Sequence, residues 1–235
     1  MSDTTNPPPM PPPMDSTLHA RYQRNELGAL LKAPAWLIAQ IDDDRALVGR
    51  ALRMAFWGLV FHAIFGFALG LFGGWQAAGM AAMKVPLIAG CSILLCFPSM
   101  YVFACVGGMP LSLTQAAALA GAVLAVTGLL LLALAPVAWL FVVSTNNLAF
   151  VVLLTLLIWL VAAGFARGFI GRLSSSVNLN NLSGLNWWLL IYLLVTWQMT
   201  TFLRPLLGAA KDGWWTDEKM FFLVHFVRAL TGDFD

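Results

Sequence analysis

The feature of this sequence that most restricts its fold is the stretch 113–143, which is apolar throughout and contains no charged side chain. A helix rises about 1.5 Å per residue, so this stretch is longer than the roughly 30 Å hydrocarbon core of a bilayer. It is too short to cross a bilayer twice. We therefore expect a single span that tilts, projects beyond the core or breaks at Pro136.

Composition supports a membrane location for the whole chain. Of the 235 residues, 60% are hydrophobic and 10% are charged, whereas soluble domains carry about 25% charged residues. The formal net charge is only +2 and no basic cluster is present, so we predict no nucleic-acid partner. The surface of this protein is expected to face the lipid bilayer.

Apolar runs separated by short polar links predict an all-α, polytopic membrane helical bundle of about five transmembrane helices. Amphipathic interfacial helices are expected before the first span and after the last. The predicted spans are residues 54–72, 85–106, 113–143, 148–166 and 187–208. The predicted regions are a Pro-rich cytoplasmic tail (1–25), an amphipathic interfacial segment (26–53), the membrane domain (54–208) and an interfacial C-terminal segment (209–235).

The segments between spans predict where helices begin and end. The acidic triplet 42–44 is expected to cap the first spanning helix, and the Gly/Ala-rich stretch 73–84 is expected to be a link. Pro86 then suits the first turn of the second span, whereas Pro98 lies inside it and frees a carbonyl for Ser99 or a neighbouring helix. The polar residues 144–147 predict a tight turn between two spans.

One face of the first span is lined by small residues. Gly58, His62, Gly66 and Gly70 recur at every fourth position, and such repeats let helix backbones approach closely in lipid. For His62 we favour a hydrogen bond between helices. A haem ligand or proton relay is the alternative, but the other histidines, His19 and His225, lie outside the spans.

Polar residues are densest in the last span. Gln198, Thr201 and Arg204 precede Pro205 in an otherwise apolar run. Arg204 is expected at the outer interface, where a long side chain can reach water. We expect Gln198 and Thr201 to remain in the hydrocarbon and to pack against the glycine face of the first span. The seven residues predicted to mediate helix packing or partner contact are Gly58, His62, Gly66, Gly70, Gln198, Thr201 and Arg204.

The sequence lacks the patterns expected of a membrane enzyme. It has no His-Glu-x-x-His pair, no phosphate-binding loop and no Asp or Glu within the predicted spans. The three cysteines, Cys91, Cys96 and Cys105, lack metal or disulfide spacing and are expected to be small buried hydrophobes. We therefore predict no catalytic residue, no metal site and no cofactor.

The stretch LKAPAWLIAQIDDD before the first span, together with the Pro-rich tail and five closely spaced spans, resembles the Yip1-type family of small five-span membrane proteins. The resemblance implies a non-enzymatic membrane protein that recruits or organises partners.

Basic residues are concentrated before the first span and after the fourth, which predicts a cytoplasmic N-terminus and an external C-terminus. The expected location is the cell membrane, such as a bacterial inner membrane.

These features favour a structural or partner-binding subunit of a membrane complex, in contact with other membrane subunits or with copies of itself. An alternative is a transport or channel component with a pathway lined by Gln198, Thr201 and Arg204, opened by helix breaks at Pro98 and Pro136. A lipid-modifying or haem enzyme that uses His62 ranks third.

Overall fold

A computed structural model describes residues 44–107, 112–176 and 183–202. Every element in these ranges is helical, which confirms the predicted all-α class. The elements are α1 (Asp44–Gly70), a short 3-10 turn (Leu71–Gly73), α2 (Trp75–Val106), α3 (Leu113–Ser144), α4 (Leu148–Ser176) and α5 (Ser183–Phe202). The predicted tail, most of the amphipathic segment 26–53 and the C-terminal segment 209–235 lie outside the described residues.

Among the described helices, four are long and apolar enough to cross a membrane, so a membrane-embedded bundle is supported. Their apolar spans are Leu47–Gly73, Trp75–Val106, Leu113–Ser144 and Ala149–Arg172. Helix α5 is not one of the four. It has 20 residues, and its second half contains Thr196, Gln198, Thr200 and Thr201. The predicted fifth span, 187–208, also runs beyond the described part of the chain.

The prediction of a link at residues 73–84 is wrong for most of its length, because helix begins at Trp75. A 3-10 turn and Gly74, whose φ of 89° suits a residue without a side chain, complete the connection. Helix α2 then starts at Trp75, because the Ala, Met and Gln residues that follow are good helix formers. As a result Pro86 lies inside α2 and not in its first turn, and so does Pro98, as predicted.

Helix α3 is a single continuous helix that runs through Pro136. Its 32 residues correspond to about 48 Å, which is longer than the hydrocarbon core. The helix begins with a capping box, in which the Ser112 hydroxyl accepts from the Gln115 N–H at 3.2 Å and the Gln115 side chain accepts from the Ser112 N–H at 2.9 Å. The prediction of one span is consistent with this helix.

The turn between α3 and α4 lies at residues 145–147, as predicted. Asn147 ends it, because its side-chain oxygen accepts a hydrogen bond from the Phe150 N–H at 3.3 Å and so caps α4. Helix α4 continues to Ser176, ten residues beyond the predicted end at Ala166. Arg167 and Arg172 therefore lie within the helix and do not follow it.

Contacts between backbones fix the directions of the helices. Gly66 of α1 lies beside Val85 of α2, and Gly70, one turn later, lies beside Ala78. The residue numbers rise along α1 while they fall along α2, so the two helices are antiparallel. The α1–α3 contacts run in the same direction on both helices, so α1 and α3 are parallel. Helix α5 packs mainly on α2 and runs antiparallel to it.

The buried side chains form two main groups. The larger group lies where α2, α3, α4 and α5 meet and includes Met100, Phe169, Trp188 and Tyr192. The second group joins α1, α3 and α4 around Phe65, Leu131 and Trp159, with Val85 of α2. Of the three free cysteines only Cys96 is buried, whereas Cys91 is half-buried and Cys105 exposed, so the prediction of buried cysteines holds for one of them.

Candidate functional site

The glycine face of α1 lies in contact with the backbones of two other helices. A β-carbon placed on Gly58 would lie 2.7 Å from the Leu124 carbonyl oxygen of α3. A β-carbon on Gly66 would lie 2.5 Å from the Ala81 carbonyl oxygen of α2, and one on Gly70 would lie 2.7 Å from the α-carbon of Ala78. These separations leave no room for a side chain, so the glycines permit the backbones to approach.

Helix α3 contributes glycines to the same contact. A β-carbon on Gly121 would lie 2.7 Å from the Ala51 carbonyl oxygen. On Gly128 it would lie 2.6 Å from the Gly58 carbonyl oxygen and 2.9 Å from His62 Nδ1. The α1–α3 pair forms the most extensive helix contact in the described bundle. Both helices therefore supply small residues along one shared line.

His62 lies at this contact and has no solvent-exposed surface. Its Nδ1 lies 2.7 Å from the Gly58 carbonyl oxygen, one turn earlier in the same helix. A carbonyl oxygen only accepts, so Nδ1 carries the proton. Nε2 makes no hydrogen bond to a described residue, and the Trp159 ring of α4 lies 5.8 Å away between centroids. The predicted hydrogen bond from His62 to another helix is therefore not found in the described part of the chain.

A second polar residue at the α1–α3 contact is satisfied within its own helix. The Thr127 hydroxyl donates to the carbonyl oxygens of Val123 and Leu124, at 2.9 and 3.1 Å. Leu124 is also the residue whose carbonyl faces Gly58. Because these bonds stay inside α3, Thr127 adds no hydrogen bond between helices, and close packing carries the contact.

Among the described residues, the neighbours of the glycine face of α1 belong to other helices than the last span. The atoms nearest to the Gly58, Gly66 and Gly70 positions belong to α3 and α2. Gln198 is half-buried on α5, a helix that packs mainly on α2 and to a lesser extent on α4. The Thr201 side chain and Arg204 lie outside what the structure describes. Among the described residues, α2 and α3 therefore occupy the glycine face of α1, and the placement of Thr201 there stays a prediction.

The contact between α2 and α5 depends on a small residue and a tryptophan. A β-carbon on Gly184 would lie 2.6 Å from the Phe103 carbonyl oxygen. One turn later, Trp188 Nε1 donates to the Cys96 carbonyl oxygen at 2.9 Å, and Ser99 donates to the same oxygen at 2.8 Å. Ser99 and a neighbouring helix were the predicted donors near Pro98. Because proline has no N–H, Pro98 leaves the carbonyl of residue 94 without its helical donor. The carbonyl that Ser99 and Trp188 bond is instead that of Cys96.

Two glycines on α4 have no such contact. For Gly164 and Gly168, no described residue lies within 4 Å of the position that a β-carbon would take. Both residues are exposed and lie in the apolar span Ala149–Arg172. They are four positions apart, so they share one side of the helix. The sequence analysis missed this small-x-x-x-small pair, although its signal, GFARG, is the same type of repeat that identified α1.

Within the described ranges, no three His, Cys, Asp or Glu side chains are grouped as a metal site would require. The predicted spans contain no Asp or Glu that could pair with His62. Comparison with known proteins adds no assignment, because the chain matches no family model, curated protein or solved structure.

Proposed function

We propose that this protein is a structural or partner-binding subunit of a membrane complex, without enzymatic activity of its own. The observation that carries the proposal is the pair Gly164 and Gly168 on α4, which leaves helix backbone accessible in an apolar span. Small residues at this spacing allow a second helix to approach closely in lipid. The partner is another membrane subunit or a second copy of this chain.

The glycine face of α1 supports the proposal in a different way from the one expected. Gly58, Gly66 and Gly70 contact α2 and α3, so they hold the bundle together and leave partner contact to α4. Helix α4 also packs less extensively on the rest of the bundle than α1 does. A stable bundle with one helix at its periphery is a suitable geometry for a subunit that docks through that helix.

The remaining parts of the proposal concern topology. We infer five spans, with α5 and the residues after it as the fifth, flanked by interfacial helices. The N-terminus then lies in the cytoplasm and the C-terminus outside, as in a bacterial inner membrane. The similarity in layout to the Yip1-type family is part of the same proposal. The transport alternative has less support, because α2 and α3 continue as helices through Pro98 and Pro136 and provide no helix break there.

Assembly in mild detergent tests the proposed function. We expect the wild-type protein to purify with a second membrane chain or as a homo-oligomer. The double variant Gly164→Leu, Gly168→Leu should lose this partner, because leucine side chains would hold the two helices apart. A matched control is Gly79→Leu on α2, where a β-carbon also meets no described residue within 4 Å. It should retain the partner.

Two results would contradict the proposal. One is a wild-type protein that is a solitary, monodisperse monomer in several mild detergents and after chemical crosslinking in native membranes. The other is equal loss of the partner in the Gly79→Leu control. In each case the oligomeric state is measured by size-exclusion chromatography with light scattering, after circular dichroism shows that the variants retain the helix content of the wild type.

A further inference from the structure

Two buried hydroxyl groups between α2 and α5 make no hydrogen bond to any residue that the structure describes. They belong to Ser92 of α2, which is fully buried, and to Tyr192 of α5, which is 3% exposed. Buried polar groups in folded proteins nearly always have a partner, either another protein group or an ordered water. In a membrane the cost of leaving them unbonded is especially high, because the hydrocarbon core holds no bulk water. Each hydroxyl therefore requires a partner inside the bundle.

The two hydroxyls lie on the facing sides of their helices. Trp188 of α5 donates to the Cys96 carbonyl oxygen of α2, so these two residues mark the sides that meet. Tyr192 follows Trp188 by one turn, and the two rings stack with centroids 5.7 Å apart. Ser92 precedes Cys96 by one turn and shares its side of α2. Both hydroxyls therefore belong to the α2–α5 contact, one turn beyond the bond that Trp188 makes.

A third hydroxyl lies at the same level of the bundle. Thr196 is fully buried and donates to the Tyr192 carbonyl oxygen at 2.7 Å, so its own oxygen can still accept a hydrogen bond. Thr196 lies twelve residues after Gly184, which is in contact with Phe103 of α2. Ser92 lies eleven residues before Phe103. Because the helices are antiparallel, Thr196 and Ser92 come level to within about 2 Å along the bundle.

We propose that an ordered water molecule lies between α2 and α5 and is held by the hydroxyls of Ser92, Tyr192 and Thr196. A buried water typically has about three polar partners, to which it both donates and accepts. Neutral hydroxyls suit water better than a cation, since the predicted spans contain no Asp or Glu to balance a charge. The water joins α5, which is not one of the four long apolar helices, to the rest of the bundle.

A double-mutant cycle tests whether the hydroxyls share a partner. Ser92→Ala and Tyr192→Phe should each lower the melting temperature in detergent by about 2–6 °C. The double variant should lose at least about 2 °C less than the sum of the two, because a water that has lost one partner has less to lose with the second. The matched control is Thr127→Val, which removes a buried hydroxyl whose bonds stay within α3. Its shift should add to that of Tyr192→Phe.

Infrared spectroscopy distinguishes a water from a direct hydrogen bond between the two side chains. In water labelled with oxygen-18, the O–H stretching band of a bound water moves to lower frequency, whereas serine and tyrosine oxygens do not exchange. The difference spectrum between wild type and Tyr192→Phe should therefore contain a band that moves. If Ser92→Ala does not fold, Ser92→Cys replaces it, because a thiol has a similar size and bonds water only weakly. Additive shifts in the cycle, or a difference spectrum without an isotope-sensitive band, would each overturn the water bridge.

Discussion

Two glycine-to-alanine substitutions should have opposite effects on stability although their chemistry is identical. Gly128→Ala places a methyl group 2.6 Å from the Gly58 carbonyl oxygen and 2.9 Å from His62 Nδ1. Gly164→Ala places the same group where no described residue lies within 4 Å. The first change should destabilise the protein, and the second should leave it unchanged or slightly more stable.

The geometry sets the size of the difference. Ordinary contacts begin near 3.4 Å, so Gly128→Ala requires α1 and α3 to separate by about 0.8 Å. The obstructing atom belongs to the backbone and cannot rotate away, which favours the upper part of the overpacking range of about 1–3 kcal/mol. Alanine also favours the helix by up to about 1 kcal/mol at either site. We expect a net loss of about 1–2 kcal/mol for Gly128→Ala and a gain of up to about 1 kcal/mol for Gly164→Ala.

Thermal unfolding in a detergent that separates the chain from any partner, followed by tryptophan fluorescence, measures both variants. A difference of about 2–3 kcal/mol between them corresponds to about 5–10 °C in melting temperature. The result that would refute the reasoning is a Gly128→Ala variant at least as stable as the wild type. A Gly164→Ala variant that loses as much stability as Gly128→Ala would also refute it, because the loss would then not depend on the α1–α3 contact.

Two further substitutions test the buried polar contacts. His62→Phe should change the free energy of unfolding by less than about 1.5 kcal/mol, because it conserves most of the ring volume and removes a buried nitrogen that no described residue bonds. By comparison, His62→Ala should cost about 2–4 kcal/mol through the cavity it leaves. A larger loss in His62→Phe than in His62→Ala, measured by unfolding, would show that the site has no room for a phenyl ring and would contradict this expectation. Trp188→Phe should cost about 0.5–1.5 kcal/mol for the lost hydrogen bond to Cys96, and equal stability of Trp188→Phe and wild type would contradict that contact.

Hydropathy was sufficient to predict the helical class and the long apolar helices, because a bilayer leaves a chain few ways to satisfy its backbone. It was poor at helix ends. Residues 75–84 form helix although they were predicted to be a link, since a single turn around Gly74 is enough to reverse the chain. Ser112 and Gln115 have capping-box spacing, so the start of α3 is predictable from the sequence.

The candidate site was less predictable, because neighbours across helices depend on register and direction. Spacing along α1 indicated that Gly58, Gly66 and Gly70 lie on one face. It did not indicate that Gly58 contacts α3 while Gly66 and Gly70 contact α2. A single helix pattern contains no information about the partner helix. For the same reason the sequence did not indicate that α5, which carries Gln198, packs mainly on α2.

What separates a glycine that holds this bundle together from one available to a partner is the space beside it. A glycine in a helix costs up to about 1 kcal/mol relative to alanine. At Gly128 the close approach of α1 offsets that cost, because alanine would separate the backbones. At Gly164 and Gly168 the described bundle offers no such contact, and lipid chains pack no better against glycine than against alanine. Another backbone that approached α4 would offset the cost at both positions at once, because the two glycines share one side of the helix. This pairing is the reason why we expect assembly through α4.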